Sequence, residues 1–245
     1  MNRFDRIEDP RRRQLIEALA AGLLGAGLPL GSAFGQSVFG SRPSKLPPGQ
    51  SIYRVAGSAT VNGAAANLQT PVRPGDTVET GKDSELIFVV GGHSMILRHE
   101  SRVVIEGDQG ASASLLLSAL RLLTGKLLSV SRDSRARIVT PTATIGIRGT
   151  GWYAEADPEQ TYFCTCYGVT EIAANSDPES RDAVSAKHHD RPLYIAAKAP
   201  AGRAIRAAPF INHTDQELAL IETLAGRTPP FVFPKDDYRG PRREY

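Results

Sequence analysis

The sequence predicts an all-β fold that ends in one C-terminal α-helix. Short runs of β-branched and aromatic residues lie between Ile52 and Ala197, spaced at about 8–12 residues, as in sandwiches and in solenoid-like stacks of short sheets. Turn sequences rich in glycine and proline separate these runs. A clear helical pattern occurs only near the C-terminus, from His213.

The predicted strands follow one another with identifiable turns. Asn62-Gly63 indicates a tight hairpin, because both residues accept a positive φ. A turn is also expected at Gly168, and a polar loop over residues 175–186. The predicted strands are Ile52–Gly57, Ala59–Val61, a short strand within residues 74–81, Ser84–Val90, Ser94–Arg98, Ser101–Glu106, Thr161–Tyr167, Val169–Ala173 and Leu193–Ala197.

The run from Arg137 to Tyr153 is the centre of the predicted β body. Pro141 lacks a backbone donor and restricts Thr140, so a strand is expected to end or bend there. Ile145 and Ile147 alternate with Gly146 and Arg148, which predicts a strand with one apolar face. A turn or a close backbone approach is expected around Thr150, between Gly149 and Gly151.

The motifs Thr140-Pro141-Thr142-Ala143 and Ile147-Arg148-Gly149-Thr150 resemble the signature of the FecR-domain family. The upstream order of Asn62-Gly63, Pro74-Gly75-Asp76 and Gly91-Gly92 is similar to that family as well. The resemblance implies a stack of short strands, with Thr140, Pro141, Arg148, Gly149 and Thr150 as structural motif residues. It also implies a non-catalytic role in the cell envelope, in protein binding, scaffolding or signalling.

One segment is interpreted with the help of this resemblance, and Arg148 from the chemistry of its side chain. Residues 115–130 are rich in leucine but fit neither period, and the resemblance implies a strand pair across Thr124-Gly125-Lys126. Arg148 is expected to be a buried or half-buried side chain that donates to backbone carbonyls, with ligand binding as the alternative.

The N-terminal residues 1–35 have the pattern of an export signal. Arg12 and Arg13 precede two hydrophobic residues, as in twin-arginine signals, and a weakly apolar core follows. Ala33 and Gly35 fit a cleavage site, which predicts a periplasmic mature protein. An uncleaved inner-membrane anchor and a cytoplasmic amphipathic helix are the alternatives. Only about ten residues precede the signal, so full anti-sigma relay through a cytoplasmic domain is not expected.

Further domain boundaries follow from composition. Residues 36–50 are predicted to be a linker, 51–197 a FecR-like β domain, 198–227 a loop and helix, and 228–245 an extended or disordered tail. The net charge is +3, and the 29 basic residues form no stripe with aromatic residues between them. Nucleic acid is therefore not an expected partner, whereas a protein or envelope component is.

Cys164 and Cys166 are the two cysteines of the chain, and both thiols are expected on one face of their strand. Four interpretations remain open: core cysteines, a disulfide after export, a metal site with His188 or His189, and a redox thiol. A metal site would suit zinc, and no other cofactor is expected. Adjacent histidines in a strand face opposite ways, so only one is expected to join the thiols.

Residues 213–226 predict the helix. Thr214 and Glu217 fit a capping box, and Gly226 fits the C′ position that ends a helix. His213 is expected at the surface or in the capping region. An apolar stripe is predicted to pack on the β body, with docking of a partner as the alternative; it consists of Leu218, Ile221, Leu224 and Ala225.

No catalytic constellation is apparent, so an enzyme is not expected. The leading hypothesis is an exported FecR-like binding, scaffolding or signalling module. The alternative is a metal-binding or thiol-redox sensor that uses Cys164, Cys166, His188 and His189.

Overall fold

The computed structural model describes residues 43–109 and 115–231. The predicted export signal with Arg12 and Arg13, most of the predicted linker, and residues 232–245 lie outside this part of the chain. Within the described residues, no helix combines the length and the hydropathy that a membrane span requires.

The described chain is β-rich, with one helix near its C-terminus, which confirms the predicted fold class. The strands are β1 (Ile52–Ala56), β2 (Ala59–Val61), β3 (Ala64–Ala65), β4 (Thr77–Thr80), β5 (Glu85–Val90), β6 (His93–Leu97), β7 (Arg102–Gln109), β8 (Leu115–Val139), β9 (Ala143–Ala156), β10 (Gln160–Ala174), β11 (Arg181–Ala186), β12 (Leu193–Ala196) and β13 (Ile205–Ala207). The helix α1 spans Asp215–Leu224.

The thirteen described strands form one open, antiparallel sheet. Its main path runs β13-β12-β10-β9-β8-β7-β4-β2-β3, while β11 pairs with β10 and the β1-β5-β6 unit joins through β8. Consecutive strands are mostly neighbours, so short connections suffice to build the sheet.

Glycines place bulges inside the long strands where the sequence suggested turns. The turns predicted at residues 124–126 and at Gly168 were wrong, because β8 and β10 continue through them. Of the two alternatives expected around Thr150, the structure has the close backbone approach and no turn. Gly125, Gly149 and Gly168 have φ of 87°, 60° and 93°. A residue with positive φ can be inserted in an antiparallel strand as a bulge, which bends the strand without ending it. The predicted loop over 175–186 was also wrong in part, since it contains β11.

The corner at Thr140-Pro141 is confirmed. Strand β8 ends at Val139, and the Thr140 amide donates to the Ala143 carbonyl in a tight connection to β9. The Thr142 hydroxyl donates to the Thr161 hydroxyl at 2.7 Å and lies 2.9 Å from the Ile195 carbonyl. Buried hydroxyls with partners therefore fix the corner against β10 and β12.

The prediction of a buried Arg148 was wrong. Its side chain is exposed, because β9 alternates around it with Ile145 and Ile147 turned to the core. Thr150, two residues further on, is buried. The alternation that the sequence shows therefore decides the position of Arg148.

The sheet packs on two apolar cores, one on each face. Trp152 and Phe163 belong to the first core and stack with their ring centroids 5.9 Å apart. Tyr153 and Tyr162 belong to the second core, which the apolar face of α1 covers. Adjacent residues of β9 and β10 thus enter different cores, as the two-residue period of a strand requires.

Helix α1 begins and ends as its sequence predicts. Thr214 is the N-cap of a complete capping box with Glu217, and Gly226 has φ of 75° just after the helix. The side chains of Leu218, Ile221 and Leu224 are buried in the second core. The stripe therefore packs on the β body, as predicted.

The close approach of β9 and β10 generates a prediction about Gly168. A Cβ at Gly168 would lie 2.5 Å from the Gly149 carbonyl oxygen, whereas a Cβ at Gly149 would meet no atom within 4 Å. We expect Gly149→Ala to lower the free energy of unfolding by about 1–2 kcal/mol, the cost of a positive φ alone. Gly168→Ala should cost at least about 2 kcal/mol more, because the bulge must also open. Urea denaturation of both variants measures the difference, and equal losses would contradict the close packing.

Candidate functional site

Cys164, Cys166, His189 and His213 converge on the face of the sheet that α1 covers. One ligand atom from each residue lies within 4.8 Å of all the others. Both cysteines are free thiols, and both are fully buried. We refer to these four residues as the Cys2His2 cluster.

Strand β10 presents the two sulfur atoms. Tyr162, Cys164 and Cys166 face the second core, as the alternation of a strand predicts. A bulge between Thr165 and Tyr167 then shifts the register against β9, so that Tyr167 enters the same core as its neighbour Cys166. The predicted common face of the two thiols agrees with the structure.

The loop between β11 and β12 brings His189 to the thiols. Its amide donates to the Cys166 carbonyl at 2.9 Å, and its φ is 53°. Because this backbone is not extended, His188 and His189 do not face opposite ways. Both rings reach Asp215, from Nε2 of His188 at 2.7 Å and from Nε2 of His189 at 2.9 Å. The strand alternation expected for this pair was therefore wrong.

Only one of the two adjacent histidines approaches a cysteine. Nδ1 of His189 lies 3.5 Å from Sγ of Cys164. The His188 side chain is 41% exposed and is absent from the Cys2His2 cluster. The structure thus joins three of the four predicted site residues and places His188 beside them, on Asp215.

His213 completes the cluster. It lies in the capping region, one of the two positions expected for it, but it is buried and not at the surface. Its side chain is buried, and its Nε2 lies 3.3 Å from Sγ of Cys166 and 3.1 Å from Nδ1 of His189. It occupies the N′ position before the Thr214 cap, and side chains at N′ commonly turn back onto the helix and its core. The capping pattern placed His213 at the start of the helix, but no signal in the sequence joined it to the cysteines.

The outer nitrogens of both cluster histidines donate to acceptors. Nε2 of His189 faces a carboxylate oxygen of Asp215, and Nδ1 of His213 lies 2.7 Å from the Ile211 carbonyl. Carboxylate and carbonyl oxygens only accept, so these nitrogens carry the hydrogens. In the neutral imidazoles, Nδ1 of His189 and Nε2 of His213 therefore point lone pairs toward each other and toward the sulfurs.

Aromatic side chains enclose the cluster. Tyr153 stacks on the His213 ring at a centroid distance of 4.5 Å, and Phe210 lies 4.3 Å from the His189 ring and 4.5 Å from the His213 ring. Phe231 packs on His188 and Tyr167 at the outer side. The shell keeps water away from the sulfur atoms and lowers the local dielectric.

Burial and close contacts shift the pKa values in opposite directions. Burial raises the pKa of the Cys164 thiol. The hydrogen bond with Cys166, the nearby His213 and the hydrogen bond with His189 lower it by more, so that the pKa lies well below its usual value. Burial and then the adjacent Cys164 raise the pKa of Cys166. Burial lowers the pKa of His189, yet its bonds to Asp215 and Cys164 dominate and raise it to about 9.

Asp215 is the group that orients the histidines. Burial alone would raise its pKa, but the hydrogen bonds from His189 and His188 lower it below the usual value. The carboxylate is fully buried at the first position of α1, where the helix dipole also favours a negative charge.

The buried Asp215 carboxylate generates a prediction. Asp215→Asn should lower the free energy of unfolding of the metal-free protein by about 1–3 kcal/mol near pH 6. The amide offers one acceptor oxygen in place of two, so one of the hydrogen bonds from His188 and His189 is lost. The raised pKa of His189 adds stability that is complete below its unfolded pKa and is lost as the pH rises through about 9. The destabilisation should therefore shrink above this pH. Urea denaturation measures it, with the exposed Asp83→Asn as the control, and equal effects of the two substitutions would contradict the orienting role.

Comparison with known proteins assigns no family to this chain. No family model and no curated protein matches it. Two solved structures of a candidate anti-sigma factor from Parabacteroides distasonis ATCC 8503 resemble its fold. One has a TM-score of 0.42 and 11% identity, covering 61% of this chain and 74% of its own. The other has a TM-score of 0.43 and 13% identity, covering 67% and 82%. A similarity this low assigns no function.

Proposed function

We propose that this protein is a metal-binding β module in which the Cys2His2 cluster holds one zinc ion. The observation that carries the proposal is the convergence of two thiols and two imidazole nitrogens whose hydrogens lie on the far side of each ring. Four such donors with no oxygen ligand form the set that structural zinc sites use.

The distances between the donor atoms fit a tetrahedral zinc ion. With zinc bonds of about 2.3 Å to sulfur and 2.0–2.1 Å to nitrogen, neighbouring ligand atoms are separated by about 3.3–3.8 Å. The cluster has sulfur–nitrogen distances of 3.5 and 3.3 Å and a nitrogen–nitrogen distance of 3.1 Å. Only small adjustments of the side chains would bring the four atoms onto one ion.

The groups around the cluster support metal binding as well. Metal-bound histidines typically donate their second nitrogen to a carboxylate or a backbone carbonyl, the partners that Asp215 and Ile211 supply here. The lowered pKa of Cys164 favours the thiolate that a metal requires, whereas Cys166, whose pKa is raised, would lose its proton on metal binding. Four protein ligands would leave no open position, which favours a structural ion over a catalytic one.

Cys164, His189 and Asp215 also follow the order of a nucleophile, a base and an orienting acid. The sulfur of Cys164 is fully buried beneath α1, so no substrate carbonyl could reach it in this structure. His213 also contacts Nδ1 of His189, and Cys166 lies beside Cys164 in the same cluster. A pair of one nucleophilic cysteine and one histidine base would need neither residue. We therefore favour a non-catalytic role.

Zinc titration of the purified, chelator-stripped protein tests the proposal. We expect one equivalent of zinc per chain, detected by calorimetry and elemental analysis. Cys166→Ser and His213→Gln should each weaken binding by more than about 100-fold, and Asp215→Asn by about 10–100-fold, because Asp215 acts through the histidines. His99→Gln removes an exposed histidine outside the cluster and should leave the affinity unchanged. Absence of bound zinc, or equal losses in the control, would overturn the proposal.

A second candidate function concerns the compartment and the partner. The FecR-like motif residues lie in the all-β body, with Thr140 and Pro141 at the β8–β9 corner and Gly149 and Thr150 at the β9 bulge. This arrangement, together with the twin-arginine pattern, favours an exported envelope module that binds or scaffolds another protein. Such a role is compatible with a structural zinc ion.

Export generates its own prediction. In a bacterial host with a twin-arginine pathway, we expect the mature chain in the periplasm, shortened by about 35 residues. The double variant Arg12→Lys/Arg13→Lys should keep the precursor inside the cell, whereas Arg11→Lys should be exported normally. Immunoblots of cell fractions and N-terminal sequencing measure the outcome, and equal export of all three chains would refute a twin-arginine signal.

A further inference from the structure

The Cys2His2 cluster joins two parts of the chain that are distant in sequence. Cys164 and Cys166 lie on β10 and His189 lies in the loop after β11, whereas His213 lies immediately before α1. An ion bound by all four would be a crosslink between the sheet and the C-terminal segment of residues 213–227.

The segment contacts the sheet through both apolar and polar side chains. Three apolar side chains of α1 enter the second core, but the buried acids Glu217 and Glu222 lie on the same side. Glu217 pairs with Arg98 at 3.0 Å, and Glu222 contacts Tyr167 and pairs with Arg227 at 2.7 Å. Buried ion pairs add little net stability, because both partners lose their water.

The sheet beneath the segment has far more extensive internal bonding. Strands β8, β9 and β10 pair along most of their length, which gives them a dense ladder of backbone hydrogen bonds. A single helix of 10 residues docked on a sheet can open as a separate unit, at lower free energy than such ladders do. The segment and the sheet should therefore open in separate steps when the crosslink is absent.

We propose that the metal ion holds α1 on the sheet and that its removal releases residues 213–227 while the sheet stays folded. This inference rests on the proposed zinc site. The release would uncover a face that α1 now occupies. That face combines apolar and aromatic side chains with the unpaired charge of Arg98; it includes Ile96, Leu128, Tyr153 and Tyr162. Metal occupancy would thus control access to an interaction surface whose resident ligand is the chain's own acidic, amphipathic helix.

Hydrogen exchange of the full chain, with and without a zinc chelator, tests the proposal. When free zinc exceeds its dissociation constant 100-fold, mass action lowers the equilibrium population of the released segment by about 100-fold. We therefore expect the amides of residues 214–227 to exchange up to about 100-fold faster after chelation. Amides of the β8–β9 hairpin around Ile138 and Ile145 should keep their rates.

The variant Arg98→Met separates fastening by the metal from other causes. It leaves every cluster ligand in place, so it should still bind one zinc ion. Its segment should exchange faster than that of the wild type after chelation, because Glu217 has lost its cation. Unchanged exchange in the segment, or an equal increase across the whole sheet, would overturn the fastening role while leaving zinc binding intact. A protein that takes up no zinc would remove both proposals.

Discussion

The candidate site depends on the alternation of side chains along β10. One face of this strand carries Phe163 into the first core, and the other carries Cys164 and Cys166 to the second. Pairing with β9 on one side and with β11 and β12 on the other fixes that alternation, and the bulge between Thr165 and Tyr167 ends it beyond Cys166. A slip of one residue would bury the thiols in the wrong core, so the register of the sheet decides whether the site exists.

The C-terminal helix shows how a polar interface can be specific without being strongly stabilising. Asp215, Glu217 and Glu222 are buried on the inner side of α1, and each has a partner of complementary character. Apolar side chains in place of these acids would avoid the desolvation cost, but would lose the hydrogen bonds and ion pairs that fit this position of the helix. The paired charges therefore favour one position of α1, the position that brings His213 to the cysteines.

The sequence predicted correctly those features that depend only on residues close to one another in the chain. The Thr140-Pro141 corner and the Thr214 capping box followed from backbone restrictions and cap chemistry, and the structure has both. The bulge at Gly168 was mistaken for a turn, and the alternatives at Gly149 stayed open, because a positive φ serves both a turn and a bulge and only strand pairing decides between them. His213 could not be joined to the cysteines from the sequence, since 47 residues separate it from Cys166 and only the docking of α1 closes that distance.

The central claim is that two sulfurs and two imidazole nitrogens bind one metal ion beneath α1. X-ray absorption spectroscopy of the zinc-loaded protein tests it most directly, because the ligand shell reports both the type and the number of donors. The structure predicts two sulfur atoms at about 2.3 Å and two nitrogen atoms at about 2.0–2.1 Å. A shell of oxygen and nitrogen alone, or one with a single sulfur atom, would contradict it.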